Sequence, residues 1–378
     1  MRDRDSTPDV AILLDHFGAG GVERVACLLA NGLQQRGFRV EMVVVRDAGP
    51  VRHLLDPGVS IHVLKSVRRL GRGGRLLAAA PDLAGYLRRR SPALLHSPGN
   101  HTHKAAGLAV RIAGFDGAFV PKITNPIVKS GMSPLKRWLR TTTFRMALAR
   151  AAKIVVLSPC GVERLSGICP DPHSRAVVLP NPYVSDAMAT RHPTRRTGET
   201  PLILAVGRLS KQKDFATLLR AVARLEQRDW RLRICGTGPE ADALQALAAE
   251  LGISDRVDMP GFVNDVAALY SEADVMVLSS RWEDLPAALV EAIACGCPVV
   301  ATACSTAVVE LLETVGAASP VPVRDVAALS AAIARALDGN LPTVAPHAVA
   351  AYGIDAACDA HAALFSHLLA RSDCRLSA

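Results

Sequence analysis

The chain has 378 residues, of which 49% are hydrophobic and 4% aromatic. That is too long for one typical core and too apolar for disorder, so two folded domains are expected. Nine scattered cysteines, with only Cys295 and Cys297 close together, resemble neither a disulfide framework nor a zinc site, and no apolar run approaches the ~20 residues of a membrane span.

The net charge of +9 is uneven. Residues 1–185 carry 27 Lys and Arg against 12 Asp and Glu, and residues 186–378 carry 17 against 23. The basic half calls for an anionic partner: a membrane surface, a lipid phosphate or a nucleic acid. The charged N-terminus, MRDRDSTPDV, lacks a signal-peptide apolar segment, so a reducing cytoplasm is the expected location.

Val10 to Leu14 reads as a strand ending at Asp15-His16. Phe17-Gly18-Ala19-Gly20-Gly21-Val22-Glu23-Arg24 follows, then a helical pattern to Gly37. Strand, glycine loop and helix N-terminus together accommodate phosphate, because glycines let backbone approach a ligand. A tight turn without a ligand fits the same residues, and the loop lacks the G-x-G-x-x-G fingerprint. Further strands are expected at Phe38–Val45, Val59–Leu64, Ala93–His96 and Val120–Thr124, with a basic loop at Lys65–Arg75 and a helix over Leu76–Arg90 interrupted at Pro81. Loops after parallel strands are where α/β sheets bind ligands. His101, His103, Asn125 and Lys129 are therefore acceptor-site candidates, beside the alternative of a surface histidine pair.

Pro134 to Lys153 is a basic helical stretch in which Trp138, Leu139 and Phe144 interleave with Lys136, Arg137, Arg140 and Arg145. It suits an anionic membrane surface, or equally a helix with one buried and one solvated face. Strands Ile154–Leu157 and Ala176–Leu179 close an N-terminal domain over residues 1–185. The polar residues within 186–200 read as a linker.

A second domain, residues 201–345, starts afresh with strand Leu202–Val206 and the loop Gly207 to Asp214. Arg208 and Lys213 flank that loop, where they would neutralise a diphosphate. Arg231–Cys235 is the next strand, with Gly236-Thr237-Gly238-Pro239-Glu240 opening a helix, and Arg256–Met259 leads to Gly261-Phe262-Val263. The apolar run Val275–Leu278 then enters SSRWEDLPAALVEAIACGCPV, residues 279–299. Pro286 sits where a first helical residue belongs, with Asp284 as its candidate cap. Glu283 thus lies in a loop at a helix N-terminus, and Glu291 further along the helix. A phosphate at that terminus and two carboxylates for sugar hydroxyls would suit a nucleotide-sugar. On spacing alone, a helix-stabilising acid and a solvated one fit better. Residues 346–378 end in an amphipathic run expected to cross back to the first domain. Alternating strands and helices imply an α/β fold with a parallel sheet in each half.

With these residues laid out, the chain resembles the retaining glycosyltransferases of the GT-B fold, family four or group 1. The likeness rests on GAGGVERV (Gly18–Val25), VGRLSKQKDFATLLRA (Val206–Ala221), GTGPE (Gly236–Glu240), PGFV (Pro260–Val263) and EDLPAALVEAIACGCPVVAT (Glu283–Thr302) in order. It implies two Rossmann-like domains facing across a cleft that holds the donor. Arg208 and Lys213 would hold the diphosphate, Glu283 the transferred sugar and Glu291 the ribose. Phe262 and Val263 would lie near the base, with Gly20 and Gly21 approaching from the other domain; Gly236, Asp284, Leu285 and Pro286 complete the donor set. No cofactor and no metal are expected, the nucleotide-sugar being a substrate. The departing phosphate would help deprotonate the acceptor hydroxyl. Three departures stand out. Asp284 replaces the usual glycine, Thr124-Asn125 stands where many members end a strand in histidine, and Ala303 replaces an acidic residue. The rival readings are an epimerase of the same fold, a degenerate nucleotide-sugar-binding protein, and, with few aromatics and no matching motif, a nucleic-acid binder.

Overall fold

The computed structural model describes residues 7–65, 71–128, 131–190, 199–225, 228–263, 265–342, 344 and 346–376. The chain divides into two compact units. One is Met1–Pro182 with Ile354–Ala378, and the other is Tyr183–Gly353.

The first unit runs β1 (Val10–Leu14), α1 (Gly21–Gln35), β2 (Val40–Val44), β3 (Ser60–Val63), α2 (Arg72–Ala78), α3 (Ala80–Arg90), β4 (Leu94–Ser97), α4 (His103–Ala113), β5 (Ala118–Pro121), α5 (Pro134–Leu148), β6 (Ile154–Val156), α6 (Pro159–Glu163), α7 (Pro172–Arg175) and β7 (Ala176–Val178). Five strands form a parallel sheet in the order β3-β2-β1-β4-β5, and β6 and β7 pair separately. Every residue of β1, β2, β4 and β5 is buried, so these strands are largely apolar along their length rather than alternating; Glu41, His96 and Ser97 are the polar residues buried within them. Gly107 of α4 has no room for a side chain, since a Cβ there would lie 2.3 Å from the Ala147 carbonyl of α5. The two helices cross backbone to backbone.

The second unit runs α8 (Asp186–Ala189), β8 (Leu202–Val206), α9 (Phe215–Ala223), β9 (Arg231–Cys235), α10 (Ala241–Glu250), β10 (Val257–Gly261), α11 (Val266–Glu272), β11 (Val275–Leu278), α12 (Ala287–Ala294), β12 (Val299–Ala301), α13 (Thr306–Thr314) and α14 (Val326–Leu337). Its parallel sheet has the order β10-β9-β8-β11-β12. The final helix, α15 (Ile354–Leu376), belongs to the first unit. It packs on α1 and buries Cys358 and Phe365, while Arg36 reaches Asp359 at 2.7 Å and Asp355 at 3.2 Å.

Three expectations need correction. The residues expected as a linker begin as helix α8, whose Met188 is buried; 191–198 lie outside the described residues. Residues 346–352 are a short 3-10 helix of the second unit, where Tyr352 O accepts from Tyr183 N and Val184 N, so the crossing helix starts only at Ile354. The strand expected at Val120–Thr124 ends at Pro121; beyond it the Lys122 amide still donates to Ser97 O and the Ile123 amide to Val155 O, and the Thr124 amide turns to Asn100 Oδ1 at 3.0 Å.

Lys122, just beyond β5, is 1% exposed and donates to Asn181 Oδ1 at 2.7 Å. Burial pushes its ammonium down to about 7 from the ordinary 10.5. The imidazoles around it, His96 and His361, are themselves pushed down by burial, and the Cys358 thiol is pushed up to about 11. Between pH 7 and about 10 the unfolded chain therefore holds a proton at Lys122 that the folded chain has released. Stability from this group rises across that window and is lost as pH falls towards 7. Replacing Lys122 with Met should remove this slope, so that the variant gains on wild type as pH drops from 10 to 7. Urea unfolding of both proteins across that range measures it.

Candidate functional site

In the second unit the strand order reverses between β8 and β11, and such a switch point opens a crevice at the carboxyl ends of the strands. The loops leaving these strands, 207–214 and 279–286, are bound together. Ser279 Oγ donates to Lys213 O at 2.8 Å, the Arg281 amide to Gln212 O at 2.8 Å, and Arg281 Nη2 to Asp214 Oδ1 at 2.8 Å. Asp214 is buried with a left-handed φ of 52°, and its second oxygen accepts from Thr217 Oγ1 at 2.9 Å. On this frame Lys213 Nζ meets Glu283 Oε1 at 2.8 Å, and Ser280 Oγ donates to the same oxygen at 3.1 Å. Arg208 leaves the same strand end exposed, and its guanidinium engages none of the described residues.

The other candidates of this unit fall around that pair. Glu291 is buried on α12 and accepts from Tyr270 Oη at 3.1 Å. Asp284 is buried and does not cap α12. Pro286 takes the N-cap position with extended backbone, so α12 starts one residue later than expected, and Asp284 lies two positions before the cap. Burial, and then the charge of Asp284, push the Tyr352 hydroxyl up. Ser305 Oγ holds Asp284 O at 2.7 Å, and Tyr183 Oη holds Leu285 O at 3.0 Å. Phe262 is 42% exposed at the end of β10, with Val263 half-buried beside it. Gly236 has a φ of 147°, and a Cβ there would lie 1.9 Å from Gly207 O; one at Gly238 would lie 2.2 Å from Leu209 O. These glycines let the loops after β8 and β9 stack directly.

In the first unit the order reverses between β1 and β4. Gly20 caps α1, and a Cβ on it would strike the Glu23 carboxylate at 2.3 Å. Gly21 has nothing within 4 Å of where a Cβ would stand. No packing in the unit requires glycine there. His101 Nε2 lies 4.0 Å from Glu23 Oε1, with its ring partly exposed. His103 is not a surface residue. It is fully buried, Nδ1 sharing a proton with Ser97 Oγ at 2.7 Å and Nε2 meeting Lys122 O at 3.0 Å, and burial pushes it down to about 3. With both nitrogens used inside the core, it has nothing to offer an acceptor. Asn125 is half-buried and its carbonyl accepts from Asn100 Nδ2 at 2.7 Å. Lys129 lies outside the described residues.

Sequence reasoning missed Asn100, which clamps residues 124 and 125, and the group Asp15, His16 and Arg75 at the end of β1. Its only signal was a charged pair where a buried strand stops. Among the described residues no three His, Cys, Asp or Glu side chains are grouped to hold a metal ion, and no helix is long and apolar enough to cross a membrane.

Two family models match this chain: "Glycosyl transferases group 1" over residues 188–353 and "Glycosyl transferase 4-like domain" over residues 20–182. It is 30% identical over 293 residues to the 2-deoxystreptamine glucosyltransferase of Streptomyces kanamyceticus, covering 71% of this chain and 74% of that one. It is 39% identical over 117 residues to an uncharacterized glycosyltransferase of Haemophilus influenzae, covering 30% of this chain but spanning only 33% of that protein. The Anabaena protein HepE, solved with UDP and glucose, superposes with a TM-score of 0.72 at 17% identity, over 98% of this chain and 100% of that one.

Gly236→Ala should destabilise the second unit by ~3 kcal/mol, at the upper end for overpacking, because carbonyl and Cα are both backbone and neither can rotate away. Denaturant unfolding measures it, and Gly21→Ala, with open space around it, should stay near wild type.

Proposed function

We propose a sugar-transfer reaction for this chain, which belongs to the group 1 glycosyltransferases of the GT-B fold. The substrates are a UDP- or GDP-sugar and a glycan or lipid-linked acceptor of cell-surface polysaccharide or glycolipid assembly. The observation that carries this reading is the meeting of Lys213 with Glu283 at 2.8 Å on the strand end that also bears the exposed Arg208. Two cations at a strand end beside a helix N-terminus match a diphosphate, and a carboxylate next to them matches sugar hydroxyls. The HepE complex with UDP and glucose supports the choice of ligand class.

In the proposed reaction the bond between the anomeric carbon and the diphosphate oxygen breaks. A bond to the acceptor oxygen forms on the same face, and the acceptor proton goes to the departing phosphate. Arg208, Lys213 and the start of α12 take up the charge that develops on the leaving group, without a metal. Glu283 binds the transferred sugar and Glu291, through its place on α12, the ribose. His101 and Asn125 remain acceptor contacts in this reading, with Gly20 and Gly21 leaving space for the donor.

Each of Arg208→Ala and Lys213→Ala should lower kcat by roughly 100- to 1,000-fold, the cost of removing one preorganised charge-stabilising group. A radiolabelled-sugar transfer assay with UDP- and GDP-sugars measures it, and near-wild-type rates in both variants would refute the charge-compensating role.

The acceptor reading extends to a membrane surface. Helices α4 and α5 contain Lys104, Arg111, Lys136, Arg137, Arg140 and Arg145 and no acidic residue. They expose Leu108, Ile112, Leu135, Trp138, Leu139 and Met146. Apolar side chains flanked by cations suit the interface of an anionic bilayer. The protein should float with phosphatidylglycerol-containing vesicles at low salt and release at high salt, and Trp138→Ser with Leu139→Ser should abolish flotation; no low-salt binding by wild type would overturn this.

A further inference from the structure

His16 stands at the carboxyl end of β1, beside the β1/β4 switch point of the first unit, and is held with unusual completeness. Its neighbours on both sides, Asp15 and Phe17, are fully buried. Asp15 O accepts from the amides of Val45 and Arg46, and the Phe17 amide donates to Ala48 O. The imidazole itself is fixed through Nδ1, which lies 2.9 Å from Asp15 Oδ2. Asp15 is fixed in turn by Arg75, whose Nε and Nη2 donate to its two oxygens at 2.9 and 2.6 Å. Burial would push the Asp15 carboxyl up, but the hydrogen bonds and charge of Arg75, with His16, hold it below its ordinary value. In the neutral imidazole, an ionised Asp15 keeps the proton on Nδ1, which leaves Nε2 as the acceptor.

Nε2 has no use among the described residues of the unit. The ring is 25% exposed, and none of the described residues bonds this nitrogen. Directly over it lies Gly18, where a Cβ would stand only 3.0 Å from Nε2. Any other residue at position 18 would crowd the acceptor, so the glycine keeps its approach open. A buried ion pair is costly to desolvate and adds little net stability. One spent on aiming an imidazole outward at a switch point indicates a binding role.

We propose that His16 touches substrate: its Nε2 accepts a hydrogen bond from a sugar hydroxyl, with Asp15 and Arg75 as positioning residues. This deepens the sugar-transfer reading and rests on it.

Two measurements separate the proposal from that reading. Nitrogen-15 NMR of the full chain labelled at histidine reports the tautomer without substrate. The expected His16 signals, identified by their loss in His16→Asn, show a proton on Nδ1 and none on Nε2, and Arg75→Met perturbs them. A proton on Nε2 overturns the proposal. Steady-state kinetics follow with whichever of UDP-glucose and GDP-mannose supports transfer. His16→Asn keeps a donor for Asp15 but removes the acceptor, whereas His16→Gln places an amide oxygen near the position of Nε2. His16→Asn should lose about 10- to 100-fold in kcat/KM at an unchanged unfolding midpoint, with most of it recovered in His16→Gln. A KM rise confined to the acceptor substrate assigns the hydroxyl to the acceptor. A rise confined to the donor, with slower donor hydrolysis when no acceptor is present, assigns it to the transferred sugar. Wild-type kinetics in His16→Asn, or equal loss in both variants, overturns the proposal and leaves the reaction standing. Failure of wild type to transfer from either donor overturns the sugar-transfer reading, and the proposal with it.

Discussion

Lys213 and Glu283 are separated by a helix-strand-helix-strand-helix-strand excursion, and they meet because β8 and β11 are neighbours in one parallel sheet. That adjacency is the constraint on which the second unit's chemistry depends. The ion pair adds little stability, since both partners lose water to form it. What holds it in place is the backbone around it. Ser279, Arg281 and Asp214 lace the two loops together, and Gly207, Gly236 and Gly238 let the next loop stack beneath. A side chain at Gly207 would press on Lys213 itself, and one at Gly236 or Gly238 on the backbone of the loop that carries it.

The same device appears once in each unit. Both sheets place their first strand in the middle, the second and third on one side and the fourth and fifth on the other. In both, candidate side chains leave the ends of the first and fourth strands. In the first unit those are Asp15-His16 and the 98–101 loop; in the second they are Arg208 to Asp214 and Ser279 to Glu283. The repeat of architecture explains why loops so far apart in the chain come to equivalent places in the two sheets.

Much of this was legible in the sequence. Parallel strands buried on both faces show up as unbroken apolar runs, and glycine loops followed by helices mark where a ligand can approach. Lys213, Glu283 and Arg208 were visible as charges at such points. What the sequence did not reveal are the pairings that depend on which strands lie side by side. His103 looks like a loop histidine, yet the first turn of α4 tucks it under Ser97 and Lys122. Asn100 gives no local sign that it holds residues 124 and 125. Arg75 sits in a basic stretch that reads as solvent-facing, and Asp284 reads as a helix cap although Pro286 already fills that position. Asn100 does lie in a loop as read, whereas His103 and Arg75 were read as loop residues and sit in α4 and α2; in every case the partner was not visible in the local pattern.

The last helix gives the molecule an order of assembly. Cys358 sits against Gly32 so closely that a Cβ on the glycine would lie 2.3 Å from the sulfur, and Phe365 is fully enclosed by the first unit. Yet all of 183–353 must be synthesised before these residues exist. The later-made unit is one uninterrupted stretch and can fold as it emerges, while the earlier one waits with an open apolar groove along α1 for its own C-terminal piece. Nascent chains stalled before residue 354 should therefore be the ones that chaperones bind.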